Sequence, residues 1–314
     1  MKEIKLNKKD FNLLEILCKN SRKSTLDISK EMGISRQAVH KKLDKICKKA
    51  ILKFVTILNY PKMGYSNMHL YLKIQGIVRE DLIKKIKKAE SIENVTWVST
   101  LMGDYDLSLS VFFKSIPNLH RDLNKIYSIF KDSIKQKELH LIDKQFISHL
   151  VFGDEKKTIR IIGGDEMKIS EKDKKILNYI KSGSRFEWSK LISQLKLNYQ
   201  TVKKHISCLE SDKIILGYGA IVNYNALDYS WNLCVLNTSS GHSLERVLEK
   251  IKTEKRIPFI STTVENKIIF DFVSQDYEEL KEFLNKLKIE FVKEIENYKI
   301  LNIVDLNKLE EFYG

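Results

Sequence analysis

The chain has 314 residues, 43% of them hydrophobic, with 55 Lys and Arg against 41 Asp and Glu for a formal net charge of +14. This apolar content excludes global disorder, and the length accommodates roughly two to four modest domains. No apolar run approaches the roughly 20 residues that span a bilayer, MKEIKLNKKDF has no secretory h-region, and the cysteines (Cys18, Cys47, Cys208, Cys234) form no C-x-x-C pair; a cytoplasmic chain with no membrane association, disulfide or metal is expected.

In chain order, Phe11, Leu14 and Leu17 recur at helical spacing and predict a first amphipathic helix. A second starts near Ser24 or Thr25, with Asp27 in the first turn, where negative charge suits the helix dipole. Gly33 allows a tight turn, Ser35 is a suitable N-cap, and Val39, Leu43 and Ile46 form the buried stripe of a third helix. After Ala50 the apolar period changes to two. ILKFVTILN is expected to fold as a short β hairpin or wing. MHLYLKI predicts a strand, REDLIKKIKKAE a helix, NVTWVST a strand, GDYD a loop and LSLSVFF a strand. PNLHRDLNKIYSIF predicts a helix with Pro at its start, and KQKELHLIDKQFIS a long final strand. The order β-α-β-β-α-β is a ferredoxin-like arrangement.

The same order returns. LNKKDFNLLEIL (Leu6–Leu17) aligns with ISEKDKKILNYI (Ile169–Ile180), and ISRQAVHKKLDKI with LNYQTVKKHISCL (Leu197–Leu209), both at an offset of 163. LNYPKMGYS then meets VNYNALDYS, and RFEWSKLISQL stands where the second helix belongs, with Trp188 in or near its core. The expected fold class is α+β, with two winged helix-turn-helix domains and two ferredoxin-like βαββαβ domains in tandem. The expected boundaries are 1–59 for the first winged helix-turn-helix domain and 60–152 for an effector and dimerisation domain. A charged, Gly-Gly-containing linker at 153–166 follows, then a second winged helix-turn-helix domain at 167–223 and a second, degenerate ferredoxin-like domain at 224–314.

The net charge is uneven. Residues 1–164 carry all of the +14 and residues 165–314 carry none; residues 1–53 hold +9 and residues 167–216 hold +6. Such basic helical segments suit a polyanion, and the expected partner is double-stranded DNA. A coding bias toward Lys, Ile and Asn accounts for part of the excess but not for its concentration. A helix-turn-helix places the N-terminal residues of its third helix at base edges. Arg36 would pair with guanine and Gln37 with adenine, beside Ser35 and His40, while Lys41, Lys42, Lys45 and Lys48 would contact phosphate. In the second copy Tyr199, Gln200, Thr201, Lys203 and Lys204 are the corresponding residues.

LNKKDFNLLEILCKNSRKSTLDISKEMGISRQAVHKKLDKI, followed by GDYD between two strands of a βαββαβ unit, resembles the Lrp/AsnC family of transcription regulators. The resemblance runs over essentially the whole chain, twice. It implies sequence-specific DNA binding, pairing through the ferredoxin-like domains and, at Gly103, Asp104, Tyr105 and Asp106, an effector loop whose carboxylates would receive an amino acid's ammonium. No resident cofactor is implied. In the second copy Glu265, Asn266 and Lys267 replace that loop, so a second effector site is not expected. Either an intrachain pseudo-dimer or a homo-oligomer through the ferredoxin-like domains would result.

Two other readings are weighed. One is a sensor or assembly module that pairs with related regulators without itself reading DNA. Siroheme decarboxylases are similar in both domains, but their acting His-Asn-Tyr run, Arg and Tyr-Asn pair are not matched by LNYPKMGYSNMHLYL or VNYNALDYSWNLCVL. His69 lies in a strand there, with no Arg nearby in sequence. No G-x-S-x-G, Walker loop or H-E-x-x-H occurs, and the seven histidines are dispersed, so no enzyme is expected.

Overall fold

The computed structural model describes residues 6–148, 159–181 and 183–309. The first three helices are α1 (Lys8–Lys19), α2 (Thr25–Met32) and α3 (Arg36–Lys49). Each start is capped by a side chain. Asn7 and Asp10 form a reciprocal capping box on α1, Ser24 accepts from the Asp27 N–H, and Ser35 accepts from the Ala38 N–H. Gly33 ends α2 at φ 61°, a left-handed turn that glycine takes without steric cost.

The chain continues as β1 (Ile51–Leu58), β2 (Ser66–Ile74), α4 (Arg79–Glu90), β3 (Val95–Met102), β4 (Leu107–Phe113), α5 (Ile116–Phe130) and β5 (Ile134–Ser148). A short strand, β6 (Ile159–Ile162), precedes three further helices, α6 (Glu171–Ile180), α7 (Trp188–Leu195) and α8 (Tyr199–Ser211). The last elements are β7 (Ile215–Val222), β8 (Ser230–Thr238), α9 (Gly241–Thr253), β9 (Phe259–Thr263), β10 (Lys267–Ser274), α10 (Tyr277–Glu290) and β11 (Ile295–Leu309).

Two expectations are corrected. The segment after α3 is not a local hairpin. β1 is a single strand that pairs antiparallel with β7, more than 150 residues later, with Val55 opposite Gly219. Its edge therefore finds its hydrogen bonds in the other half of the chain. The expected linker 153–166 lies partly outside the described residues, and within it the apolar Ile159–Ile162 is a strand bonded to the end of β5.

The remaining strands form one continuous sheet in the order β2-β4-β3-β11-β8-β10-β9-β5-β6, and β2 also pairs with β5. Eight strands thus close on themselves. The long strands β5 and β11 make the closure. The first part of β5 pairs with β2 and its second part with β9, while β11 pairs first with β8 and then with β3. Helices cover the outer faces. Leu70, Leu72, Leu109 and Val111 pack with Ile86, Leu119 and Ile126 of α4 and α5. Cys234, Leu236, Phe270 and Phe272 pack with Val247, Leu280 and Leu284 of α9 and α10. The core of the first helical bundle extends into Val222, Tyr224 and Trp231 of the second half; that of the second reaches Tyr60, Met63 and Phe112 of the first.

Contacts between the halves are reciprocal. The hydroxyl groups of Ser21 and Ser184 meet at 2.5 Å. The Arg22 guanidinium donates to the Ser184 carbonyl, and Arg185 donates to that of Ser21. A residue that touches its own counterpart marks a two-fold axis. Deeper inside, Tyr71 of β2 is opposite Glu138 and Val235 of β8 is opposite Lys299, so Glu138 and Lys299 are counterparts. They are also partners, with Lys299 Nζ donating to Glu138 at 2.7 Å, joined by Lys267 at 2.9 Å and the Tyr105 hydroxyl at 2.6 Å. His140 at 3.2 Å, then Lys299, Tyr105 and Lys267, hold the Glu138 carboxyl well below the usual carboxylate range against the opposing effect of burial.

Glu138→Gln should lower stability in urea unfolding by about 2–4 kcal/mol, because two partly buried lysines lose their counterion. Exchanging the pair, Glu138→Lys with Lys299→Glu, should recover part of that loss; no recovery would show that the two positions are not interchangeable across the axis.

Candidate nucleic-acid interface

The exposed N-terminal turn of α3 presents Ser35, Arg36 and Gln37 to solvent, with His40 and Lys41 one turn on. Val39, Leu43 and Ile46 anchor the opposite face in the bundle core, each under 8% exposed. This is the geometry of a helix held by one face and free to enter a groove with the other. Lys42 and Lys45, expected at phosphate, are placed differently. Their ammonium groups each donate to the buried Asp10 carboxylate at 2.6 Å. The rotation of α3 that exposes Arg36 and Gln37 turns both lysines toward the start of α1. Lys48 is exposed at the far end of the helix.

In α8 the Asn198 side chain accepts from the Thr201 N–H at 2.8 Å and caps the helix. Tyr199, Gln200, Lys203 and Lys204 are exposed, and Thr201 is half-buried. Tyr199 packs edge-on against Trp188 at 5.2 Å, and Trp188 against Phe186 at 5.6 Å, so an aromatic row adjoins the start of this helix. His205 bonds Asp173 at 2.7 Å, where the first bundle has the Lys42–Asp10 pair.

The GDYD segment joins β3 to β4. Gly103 sits at φ 137°, and a Cβ there would lie 3.1 Å from the Leu301 side chain and 3.2 Å from the Ile300 carbonyl. Asp106 accepts from the Ile74 N–H at 2.6 Å and from Lys73 Nζ at 3.2 Å, and Lys73 also donates to the Gly103 carbonyl. Tyr105 is 1% exposed and bound to Glu138. Asp104 is the more exposed acid of this loop. Lys267, from the segment that replaces the loop in the second half, is a Glu138 partner.

Sequence reasoning did not identify the Asp10 anchor, the Glu138 cluster or the cavity enclosed by the closed sheet beneath β1 and β7. That cavity has a volume of about 240 Å³ and is lined by His69, Asn67, Ser110, Gln145, Arg160 and Asp271 among others. Burial, then the neighbouring His140, holds His69 neutral with a pKa of about 3. The alternation in LSLSV, which turns Ser108 and Ser110 to the inside, was the available signal of a polar interior.

The profile described as "Winged helix-turn-helix DNA-binding" matches residues 6–49, the span of α1 to α3. The HTH-type transcriptional regulator LysM of Saccharolobus solfataricus is 30% identical over 124 residues, covering 40% of this chain and 85% of that protein. The HTH-type transcriptional regulator PH1055 of Pyrococcus horikoshii is 29% identical over 127 residues, covering 40% and 80%. Among solved structures, the siroheme decarboxylase NirDL superposes with a TM-score of 0.64 at 14% identity over 96% of this chain and 92% of its own; at that identity the likeness shows the fold alone. The class is that of DNA-binding proteins with a winged helix-turn-helix. Within it, the chain belongs to the Lrp/AsnC family of transcriptional regulators.

Burial raises the Asp10 pKa, but the Lys42 and Lys45 hydrogen bonds and the Asn7 N–H outweigh it and bring it to about 2, from 3.8. A depressed carboxylate stabilises the fold above its unfolded pKa, and the contribution is lost as pH falls from about 4 toward 2. Asp10→Asn should therefore lower stability at neutral pH by on the order of 1–2 kcal/mol and flatten the acid limb of the unfolding profile between those values. An unchanged acid limb would exclude Asp10 as its source.

Proposed function

We propose that the chain is a sequence-reading DNA-binding transcription regulator that carries its dimer within one polypeptide. The reading takes the chain as a tandem duplication of a winged helix-turn-helix and a ferredoxin-like unit. The carrying observation is the reciprocal set of contacts about one axis. Together with the β1–β7 ribbon, it relates α3 to α8 as two exposed, capped helices. A dimeric reader docks two recognition helices on two half-sites. Here the helices differ, Arg36, Gln37 and His40 against Tyr199, Gln200 and Lys203, so the preferred duplex is asymmetric and the protein has one orientation on it. Lys41 serves phosphate, and the pairing of Lys42 and Lys45 with Asp10 removes them from the phosphate contacts. Asp106 is engaged by Ile74 and Lys73, and Tyr105 is buried on the Glu138 cluster that joins the halves, so this reading places no effector on the Gly103–Asp106 loop. No helix among the described residues is long and apolar enough to cross a membrane, and the place of action is the cytoplasm, with no resident cofactor and no catalysis.

A second reading, a siroheme-decarboxylase-like enzyme, is favoured by the likeness to NirDL over nearly the whole chain. The cavity also brings Arg160 to the same chamber as His69, a pairing hidden in the sequence. Against it, the chamber of about 240 Å³ is small for a tetrapyrrole, and the Arg160 guanidinium donates to the Lys19 carbonyl at 2.7 Å. A Soret band in the purified protein after addition of an iron tetrapyrrole would support this second reading.

The deciding experiment is selection of duplexes from a random pool by the full chain, followed by binding across a salt series. The expected result is an asymmetric site with affinity falling steeply in salt. Arg36→Ala should cost about 1–3 kcal/mol and relax the choice at one base position, whereas Lys41→Ala should weaken all duplexes alike and reduce the salt slope by about one. A palindromic optimum, or two variants that behave identically, would overturn the assignment of roles. Absence of binding at low salt would overturn the function.

A further inference from the structure

The inner face of the closed sheet holds a carboxyl group without a counterion. Asp271, on β10, lines the cavity and is 7% exposed, and no ion pair involves it among the described residues. The titratable groups that sense its charge are Tyr71 of β2, Tyr224 before β8, and Cys234 on β8, none of them a cation; of the basic groups that line the same cavity, Arg160 donates to the Lys19 carbonyl and burial holds His69 neutral. Trp231 of β8 turns its indole toward the carboxyl, yet among the described residues neither the Trp231 N–H nor the Tyr71 hydroxyl has a hydrogen-bond partner. Both side chains are buried and both line the cavity.

The walls beside Asp271 are aromatic. Trp231 meets Trp97 edge-on at 5.5 Å and Tyr224 at 5.0 Å. Tyr71 adds a further ring to the lining. Ring faces attract organic cations, and the attraction grows when water is excluded. A buried carboxylate needs a cation or a proton, because desolvation of an unpaired charge is costly. An aromatic enclosure around an uncompensated acid therefore matches a protonated amine with an apolar body. The chamber volume of about 240 Å³ lies below the roughly 300–1,000 Å³ of pockets for drug-sized ligands, which restricts the occupant to a small molecule.

We propose that this chamber is a binding site for a small organic amine, its ammonium group paired with Asp271 and held among Trp231, Tyr224, Tyr71 and Trp97, and its apolar remainder between the faces of the sheet. The site is separate from the GDYD loop and from the DNA-facing helices. It lies beneath the β1–β7 ribbon that ties the two helical bundles together, so occupancy bears on the frame that sets their spacing. The inference concerns binding to the free protein and stands or falls apart from DNA recognition.

In the absence of a ligand, burial raises the Asp271 pKa to about 7, opposed by the Trp231 N–H. At pH 6 the acid is mostly protonated, and pairing with an ammonium group would expel that proton. The test is calorimetric titration of the full chain at pH 6 with isobutylamine, phenethylamine and tryptamine, each against its neutral alcohol counterpart, in two buffers of different ionisation heat. At least one amine should bind tenfold or more tightly than its alcohol, with close to one proton released per ligand. Asp271→Asn should abolish both the preference and the proton release. If no amine outbinds its alcohol, or if binding releases no proton in the wild-type chain, the site is not an amine site; the wild-type titrations decide this even if Asp271→Asn fails to fold.

Discussion

The antiparallel pairing of β1 with β7 is the constraint on which the rest of the molecule depends. It joins strands from the two halves of the chain, with Val55 opposite Gly219 and counterpart residues on either side. Each strand directly follows a helical bundle, so this one ribbon fixes the relation of α3 to α8. Ser21 with Ser184 and Glu138 with Lys299 repeat the same relation at other depths. The halves are therefore held by an interface of isologous form built from unlike residues. The charged pair is instructive. Two identical units would set Glu against Glu or Lys against Lys at that position, whereas this chain sets one against the other.

The elements were legible in the sequence where the information was local. Helical spacing, the caps at Ser24, Ser35 and Asn198, and Gly33 identify the bundles. REDLIKKIKKAE and LSLSVFF are α4 and β4 without adjustment. What escaped was non-local. ILKFVTIL carries the period of a strand but no statement of its partner, and the nearest candidate, a hairpin, was the wrong one. Ile159–Ile162 is short and lies among charged residues, so it reads as a linker until β5 gives it a partner. The site shows the same division. Arg36 and Gln37 follow from their place in the first turn of a capped helix. The fate of Lys42 and Lys45 depends on Asp10, 32 and 35 residues away, and periodicity alone does not say which lysines an acid on another helix will claim.

Asymmetry between the halves is chemical more than architectural. Lys42 with Asp10 becomes His205 with Asp173, Asp106 becomes Lys267, and Ser110 becomes Asp271 at corresponding places in the strands. In each case the backbone arrangement is kept while the charge changes. A single chain permits this, because a residue on one half no longer has to be compatible with itself across the axis. The Tyr105–Glu138–Lys267 cluster depends on that freedom, as it needs a tyrosine from one half and a lysine from the other.

The covalent joint also alters how the protein responds to its own abundance. Two separate units lose their partner on dilution, and their two-handed grip on DNA then varies with the amount of protein in the cell. On the proposed reading, one polypeptide supplies the second helix at a fixed local concentration set by the ribbon rather than by expression. Occupancy of a site should then rise with protein as a simple hyperbola, without the threshold that assembly from free subunits imposes. On that reading the response is to DNA, and not to how many copies of the chain are present.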